Sequence, residues 1–245
     1  MISPPETFGS YGAWLGAFKR AFYNAYSDAR DSVAGQGGPP RAVPGFHVCL
    51  AGGRTPAPLY SALAADPDLA ALSESLGLHV WVGDERQVDQ DSLLRNSRMI
   101  ELAFGPAGSW PRPPVIHPWP SGEADAACAS YLAEIRAALG PGPPGFDLEV
   151  LGLGSDGHTA GIFSLDSLGG HGACAPTWAP SEPRSRMSLF PPILASAPYI
   201  LVPVRGPDKA PILAELSAGL DCPFARVLGS RGRILYLPEP EGRTA

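Results

Sequence analysis

The chain has 245 residues, 44% hydrophobic and 17% charged, which is ordinary for a folded soluble protein. Its net charge of −6 argues against nucleic acid as a partner but allows a small anionic substrate, because a local site can carry the opposite sign. We expect a cytoplasmic protein without a membrane partner, since the N-terminus lacks the pattern of a secretory signal and no apolar run has the length of a membrane span.

The first predicted element is an amphipathic helix. Trp14, Phe18, Phe22 and Tyr26 follow one another at intervals of four residues and therefore share one helix face. An aromatic stripe can bind a ligand, but packing in the core is the more common use of this spacing. We expect the Gly/Pro cluster Gly35–Pro40 to end the helix.

Short apolar runs then alternate with helical patterns. The predicted strands are Phe46–Leu50, Leu78–Val82, Val115–His117, Phe146–Leu151, Tyr199–Val204 and Ile234–Leu237. The predicted helices among them are Pro58–Ala65, Arg95–Phe104, Ala124–Leu139 and Pro207–Ala218. Apolar strands separated by helices indicate a parallel sheet covered on both faces. We therefore predict one domain over residues 1–245, a three-layer α/β/α fold with a mostly parallel, Rossmann-like sheet.

The loop after the first predicted strand, AGGRTP, has features of an anion site. Gly52 and Gly53 allow the backbone to approach a ligand, and the following helix offers unpaired N–H groups. Arg54 and Thr55 can add a cation and a hydroxyl. An ordinary strand-to-helix turn explains the loop equally well.

The next loop, GDERQV, places Asp84 and Arg86 two residues apart. Side chains at this spacing in an extended segment point the same way. Together they could orient a hydroxyl or a water molecule and polarise an oxygen. A solvated charged loop is the usual alternative.

The segment LGLGSDGHTAGIF follows the predicted strand that ends at Leu151. Its glycines predict a tight turn before a short helical stretch, with Asp156 and His158 at the tip. A neutral imidazole oriented by a carboxylate is a common general base. A surface or packed histidine is the alternative for such a residue considered alone.

Basic residues later in the chain could hold a phosphate. Arg184 and Arg186 lie in a predicted Pro-rich loop, and Lys209 begins a predicted helix. All three could equally be surface residues. The sequence has no P-loop, dinucleotide fingerprint or metal-binding cluster. The four cysteines are widely spaced and are expected to be unpaired thiols.

Five motifs, in order from Phe46 to Leu216, resemble those of the 6-phosphogluconolactonases, within the superfamily that also contains glucosamine-6-phosphate isomerase. AGGRTP resembles the family's SGGSTP, and GDERQV followed by Asn96 resembles DER-x-V…SN. LGLGSDGHTAGIF resembles LGxGxDGHTASLF, SRMSL resembles R-I-T-L, and GPDKA matches G-x-x-K-A. Ala51 and Arg54 depart from the family's first loop, where serines are usual, and Arg54 brings an additional cation.

The resemblance implies hydrolysis of 6-phospho-D-glucono-1,5-lactone, the second step of the pentose phosphate pathway, by a monomer or homodimer without metal or cofactor. It implies that His158 is the general base, that Asp156 orients it, and that Arg86 and Asp84 line the reacting end. Substrate and phosphate binding are implied for Gly52, Gly53, Arg54, Thr55, Asn96, Arg186 and Lys209.

Two other functions are compatible with parts of this pattern. The isomerase/deaminase branch typically has DEY and DGHIAFNEP, so Arg86 and the TAGIF segment favour the lactonase. A non-catalytic sugar-phosphate sensor is the other alternative. Sensors of this type carry a DNA-binding module before the sensor domain, whereas here one helix precedes the first predicted strand. The presence of Asp84, Arg86, Asp156 and His158 also favours an enzyme.

Overall fold

The structure is a computed structural model that describes residues 2–34, 41–105, 110–140, 145–169, 172–191, 193–194 and 196–239. The strands in these ranges are β1 Glu6–Thr7, β2 Phe46–Leu50, β3 Leu78–Val82, β4 Asp84–Arg86, β5 Val115–His117, β6 Leu148–Val150, β7 Cys174–Trp178, β8 Ser185–Leu189, β9 Tyr199–Arg205 and β10 Arg233–Leu237. The helices are α1 Tyr11–Ala34, α2 Ala57–Ala64, α3 Pro67–Ser75, α4 Asn96–Phe104, α5 Ala124–Leu139, α6 Ala210–Ser217 and α7 Pro223–Leu228.

Seven strands form one sheet in the order β1-β10-β9-β6-β2-β3-β5. All pairings between its described strands are parallel. Every residue of β2 and β3 is buried, so both faces of the sheet are covered at its centre. The predicted α/β fold with a mostly parallel sheet is confirmed.

The aromatic stripe of α1 packs in the core, as its spacing predicts. Trp14, Phe18, Phe22 and Tyr26 are each 0% exposed. The indole N–H of Trp14 also donates a 2.9 Å hydrogen bond to the carbonyl of Leu235 in β10. The predicted end of this helix at Gly35–Pro40 lies outside the described residues. Within the described part of the chain, no helix combines the length and apolar character needed to cross a membrane.

Most predicted elements are present, some with the predicted bounds and others with shifted ends. One larger difference is the predicted helix Pro207–Ala218, which divides into a 3-10 turn, Pro207–Lys209, and then α6. An α-helix beginning at Pro207 would need a backbone N–H at Pro211, which proline lacks. Because proline is tolerated in the first turn of a helix, α6 begins at Ala210 instead.

Several elements were not predicted from the sequence: β1, α3, α7 and a second sheet. The second sheet is antiparallel and has the order β4-β8-β7. The prediction that Arg186 lies in a loop is wrong, because this residue belongs to β8. The prediction of a short helix after His158 is also wrong. A tight turn is found there, closed by a 2.9 Å hydrogen bond from Ile162 N to the carbonyl of Thr159.

Candidate active site

The loops that follow four neighbouring strands of the main sheet line one cavity of about 260 Å³. These loops follow β2, β3, β6 and β9, whose carboxyl ends meet at the same edge because the strands are parallel. The predicted site residues that line the cavity are Gly52, Gly53, Arg54, Thr55, Asp84, Arg86, Asn96, His158 and Lys209. The strand-end positions inferred from the sequence therefore come together in space.

His158 and Asp156 form a hydrogen-bonded pair at the rim of this cavity. His158 Nδ1 lies 2.5 Å from Asp156 Oδ1. Burial raises the pKa of Asp156, but hydrogen bonds from His158 outweigh it and hold that pKa below its usual value. An ionised carboxylate can only accept, so Nδ1 carries the imidazole proton and Nε2 carries the lone pair. This is the tautomer that a general base requires.

The turn that carries His158 is fixed from several sides. Gly154 N donates to the carbonyl of His158 at 2.9 Å, and a Cβ at Gly154 would lie 2.1 Å from His158 Nδ1. Thr159 Oγ1 donates to the carbonyl of Gly152 at 2.9 Å. Gly161 N donates to Ser188 Oγ of β8 at 3.0 Å, which connects the turn to the second sheet. Ser188 was not identified from the sequence.

The second sheet brings three of the predicted residues to one face. Asp84 pairs in register with Ser188, and Arg86 pairs with Arg186. Because side chains alternate along a strand, Asp84, Arg86 and Arg186 share a face. Burial raises the pKa of Asp84, although the charges of Arg86, Arg186 and His158 oppose this shift. Burial, followed by the like charge of Arg86, lowers the pKa of Arg186.

Glu85 is a supporting residue that was not singled out in the sequence. It is 0% exposed and lies on the opposite face of β4 from Asp84 and Arg86. Its carboxylate accepts from the backbone N–H groups of Asn96 and Ser97, at 2.7 and 2.8 Å, where α4 begins. Glu85 therefore fixes β4 to the start of α4 and holds its two neighbours toward the cavity.

Asn96 supports the site by positioning two loops against each other. Its Nδ2 donates to the backbone carbonyl of Asp84 at 2.8 Å. Its Oδ1 occupies the space beside Gly52, where an added Cβ would lie only 1.9 Å away. Asn96 is 2% exposed, so it has little room to move. This close approach therefore requires a glycine at position 52.

The variant Gly52→Ala tests this contact. The new methyl group must displace the Asn96 side chain and break its hydrogen bond to Asp84, so we expect the free energy of unfolding to fall by about 1–3 kcal/mol. Urea denaturation measures this change. Gly145→Ala is a matched control, because a Cβ at Gly145 would meet nothing within 4 Å. Equal stability of the two variants would contradict the proposed role of Asn96.

The basic residues predicted to bind phosphate do not all lie together. Lys209 lines the cavity, and its Nζ donates to the carbonyl of Leu153 at 3.0 Å. Arg186 lies beside Asp84 and Arg86 on the second sheet. Arg184 is exposed and forms a 3.1 Å ion pair with Glu182. Arg205, which was not singled out in the sequence, also lines the cavity.

Comparison with known proteins identifies the family. Residues 39–236 match the family described as glucosamine-6-phosphate isomerases/6-phosphogluconolactonase. The chain belongs to this family. A 6-phosphogluconolactonase from Pseudomonas putida is 34% identical over 182 residues, which are 71% of this chain and 71% of that protein. Another, from Thermotoga maritima, is 31% identical over 191 residues, covering 78% of this chain and 83% of that protein.

The fold of the chain is also similar to that of a solved member of the family. The crystal structure of 6-phosphogluconolactonase from Thermotoga maritima matches with a TM-score of 0.76 and 25% sequence identity. The match covers 96% of this chain and 99% of that chain. The resemblance inferred from five short motifs is thus confirmed. Four of these motifs contribute residues that line the cavity, and the fifth, SRMSL, lies in β8 of the second sheet.

The thiols and the acidic side chains do not form a metal centre in the described ranges. All four cysteines are free, as predicted. Across the residues that the structure describes, no group of three or more His, Cys, Asp or Glu side chains is arranged to hold a metal ion. A reaction without metal or cofactor stays a prediction for this family member.

Proposed function

We propose that the chain hydrolyses 6-phospho-D-glucono-1,5-lactone to 6-phospho-D-gluconate. The observation that carries the proposal is the pair His158–Asp156 at the rim of a cavity that Asp84 and Arg86 also line. The similar proteins from Pseudomonas putida and Thermotoga maritima are 6-phosphogluconolactonases, which supports this substrate.

The His158 pair supplies what a lactone hydrolysis needs. His158 Nε2 takes a proton from a water molecule, whose oxygen attacks the lactone carbonyl carbon. The bond between that carbon and the ring oxygen then breaks. The departing oxygen takes the proton back from the imidazolium and becomes a hydroxyl group, and the new carboxylic acid ionises. No covalent intermediate with the protein is required, because a lactone is a reactive ester and the water is positioned.

The charged residues of the second sheet complete this mechanism. Arg86 lines the cavity and can stabilise the negative charge that develops on the carbonyl oxygen. Its guanidinium is itself fixed by a hydrogen bond to the carbonyl of Leu94. Asp84 is close enough to His158 for their charges to interact. Its carboxyl group can orient a hydroxyl of the sugar or the attacking water.

The wild-type protein tests the proposal directly. The lactone is generated in place from glucose 6-phosphate, and release of 6-phosphogluconate is followed with a coupled dehydrogenase. We expect hydrolysis well above the rate in buffer alone. Ammonia release from glucosamine 6-phosphate without lactone hydrolysis would assign the chain to the isomerase/deaminase branch. Binding of the sugar phosphate without either reaction would assign it as a sensor.

A further inference from the structure

The cavity has an unusual charge balance for an acidic protein. Among the described residues that line it, four are basic, Arg54, Arg86, Arg205 and Lys209, and Asp84 is the one carboxylate. The whole chain has a net charge of −6. The positive charge is therefore concentrated at the cavity, which favours a ligand with more than one negative charge.

Arg205 is held in place by an aromatic ring. It is the last residue of β9, and the next residue, Gly206, has a φ of +105° that turns the chain toward Lys209. The guanidinium carbon of Arg205 lies 5.2 Å from the ring centroid of Tyr11, within the range of a cation–π interaction. Tyr11 begins α1, and its ring packs against Trp14 with centroids 5.8 Å apart. The N-terminal helix thus orients a cation of the cavity.

The basic residues lie toward two sides of the cavity. Arg86 follows β3 and accompanies Asp84, close to the His158 pair. Arg205 and Lys209 follow β9, and β6 and β2 separate β9 from β3 in the sheet. His158 follows β6, which lies between β3 and β9 in the sheet. With the carbonyl oxygen of the lactone held by Arg86, the rest of the substrate would extend past His158 toward β9. Two cations at that side suit a dianionic group.

We propose that Arg205, oriented by Tyr11, is a specificity-determining residue that recognises the phosphoryl group of the substrate. The identity of that substrate rests on the proposed function. A guanidinium can bind two phosphate oxygens at once, whereas the Lys209 ammonium acts as a point charge. Arg205 should therefore add selectivity for phosphorylated sugar acids over unphosphorylated ones, without taking part in the proton transfers at His158.

Binding of the reaction product tests the proposal independently of catalysis. Calorimetry with 6-phosphogluconate should show about 10- to 100-fold weaker binding to Arg205→Met than to the wild type, the effect of losing a charge-assisted interaction. The affinity for gluconate, which lacks the phosphoryl group and is measured by competition, should change by less than about twofold. Arg205→Lys should recover part of the lost affinity. Arg226→Met is the matched control, since Arg226 is exposed and pairs with Asp221.

Variants of Tyr11 test how Arg205 is oriented. Tyr11→Phe keeps the ring and should bind 6-phosphogluconate as the wild type does, whereas Tyr11→Leu should bind it several-fold more weakly. In the lactone assay, Arg205→Met should raise KM much more than it lowers kcat. The proposal would be overturned if Arg205→Met lost equal affinity for 6-phosphogluconate and gluconate, or if it bound 6-phosphogluconate as tightly as the wild type. Should the wild type hydrolyse no lactone, the proposed function fails, while the binding comparison still decides the role of Arg205.

Discussion

Replacing His158 with alanine is expected to lower kcat for the lactone by about 10²–10⁴-fold, the usual contribution of a general base. The KM for the lactone should change by less than about threefold, because the imidazole acts on the water and the lactone carbonyl beside it is uncharged. A coupled assay over a range of lactone concentrations gives both constants. The combination separates loss of the base from loss of the site.

Asp156→Asn is the companion variant. The asparagine side chain can present an N–H to His158 Nδ1, which would favour the tautomer with its proton on Nε2 and leave no lone pair toward the water. We therefore expect a large loss of kcat in this variant although the imidazole is still present.

For the first variant, the contradicting outcome is a high residual rate. A His158→Ala protein that keeps more than about a third of the wild-type rate would contradict the assignment of His158 as the base.

The position of the site could be predicted because it depends on a general property of parallel sheets. Apolar runs such as Phe46–Leu50 and Leu78–Val82 are strands buried along their whole length, and their bounds in the structure are those predicted. The carboxyl ends of such strands share one edge of the sheet. The loops after such strands carry polar residues, including Asp84 and His158, and the sequence therefore predicted them at this edge, where both line the cavity.

The second sheet was missed because its strands depend on distant partners. β8 is five residues long and pairs with β4, about a hundred positions earlier, and with β7. Short strands of this kind are specified by tertiary contacts more than by local propensity. The sequence could have indicated Glu85, since alternation along the extended segment directs it away from Asp84 and Arg86. Arg205 was also missed. It is a single arginine at the end of a strand, and the ring that orients it belongs to Tyr11, which is distant in sequence.

Another buried carboxyl group, that of Glu149, should make the stability of the protein depend strongly on pH. Glu149 is 0% exposed and lies in β6, in register with Cys49 and Ile200. Burial raises its pKa from 4.5 to about 8, although backbone groups of Ala197 and Ser196 and the charge of Arg231 lower it. In the unfolded chain the carboxyl group is in water and has its ordinary pKa. The folded protein therefore holds a proton that the unfolded chain releases.

This difference fixes the sign of the pH dependence. Between pH 4.5 and about 8 the folded state binds more protons at Glu149, so this group makes the free energy of unfolding decrease as pH rises. The full effect is on the order of 5 kcal/mol, and above about pH 8 it levels off. Glu149→Gln has no proton to lose, so its stability relative to the wild type should increase from pH 5 to pH 8 in urea denaturation. Glu215→Gln, at an exposed position on α6, should track the wild type. Parallel curves for wild type and Glu149→Gln would show that Glu149 ionises in the folded protein as it does in water.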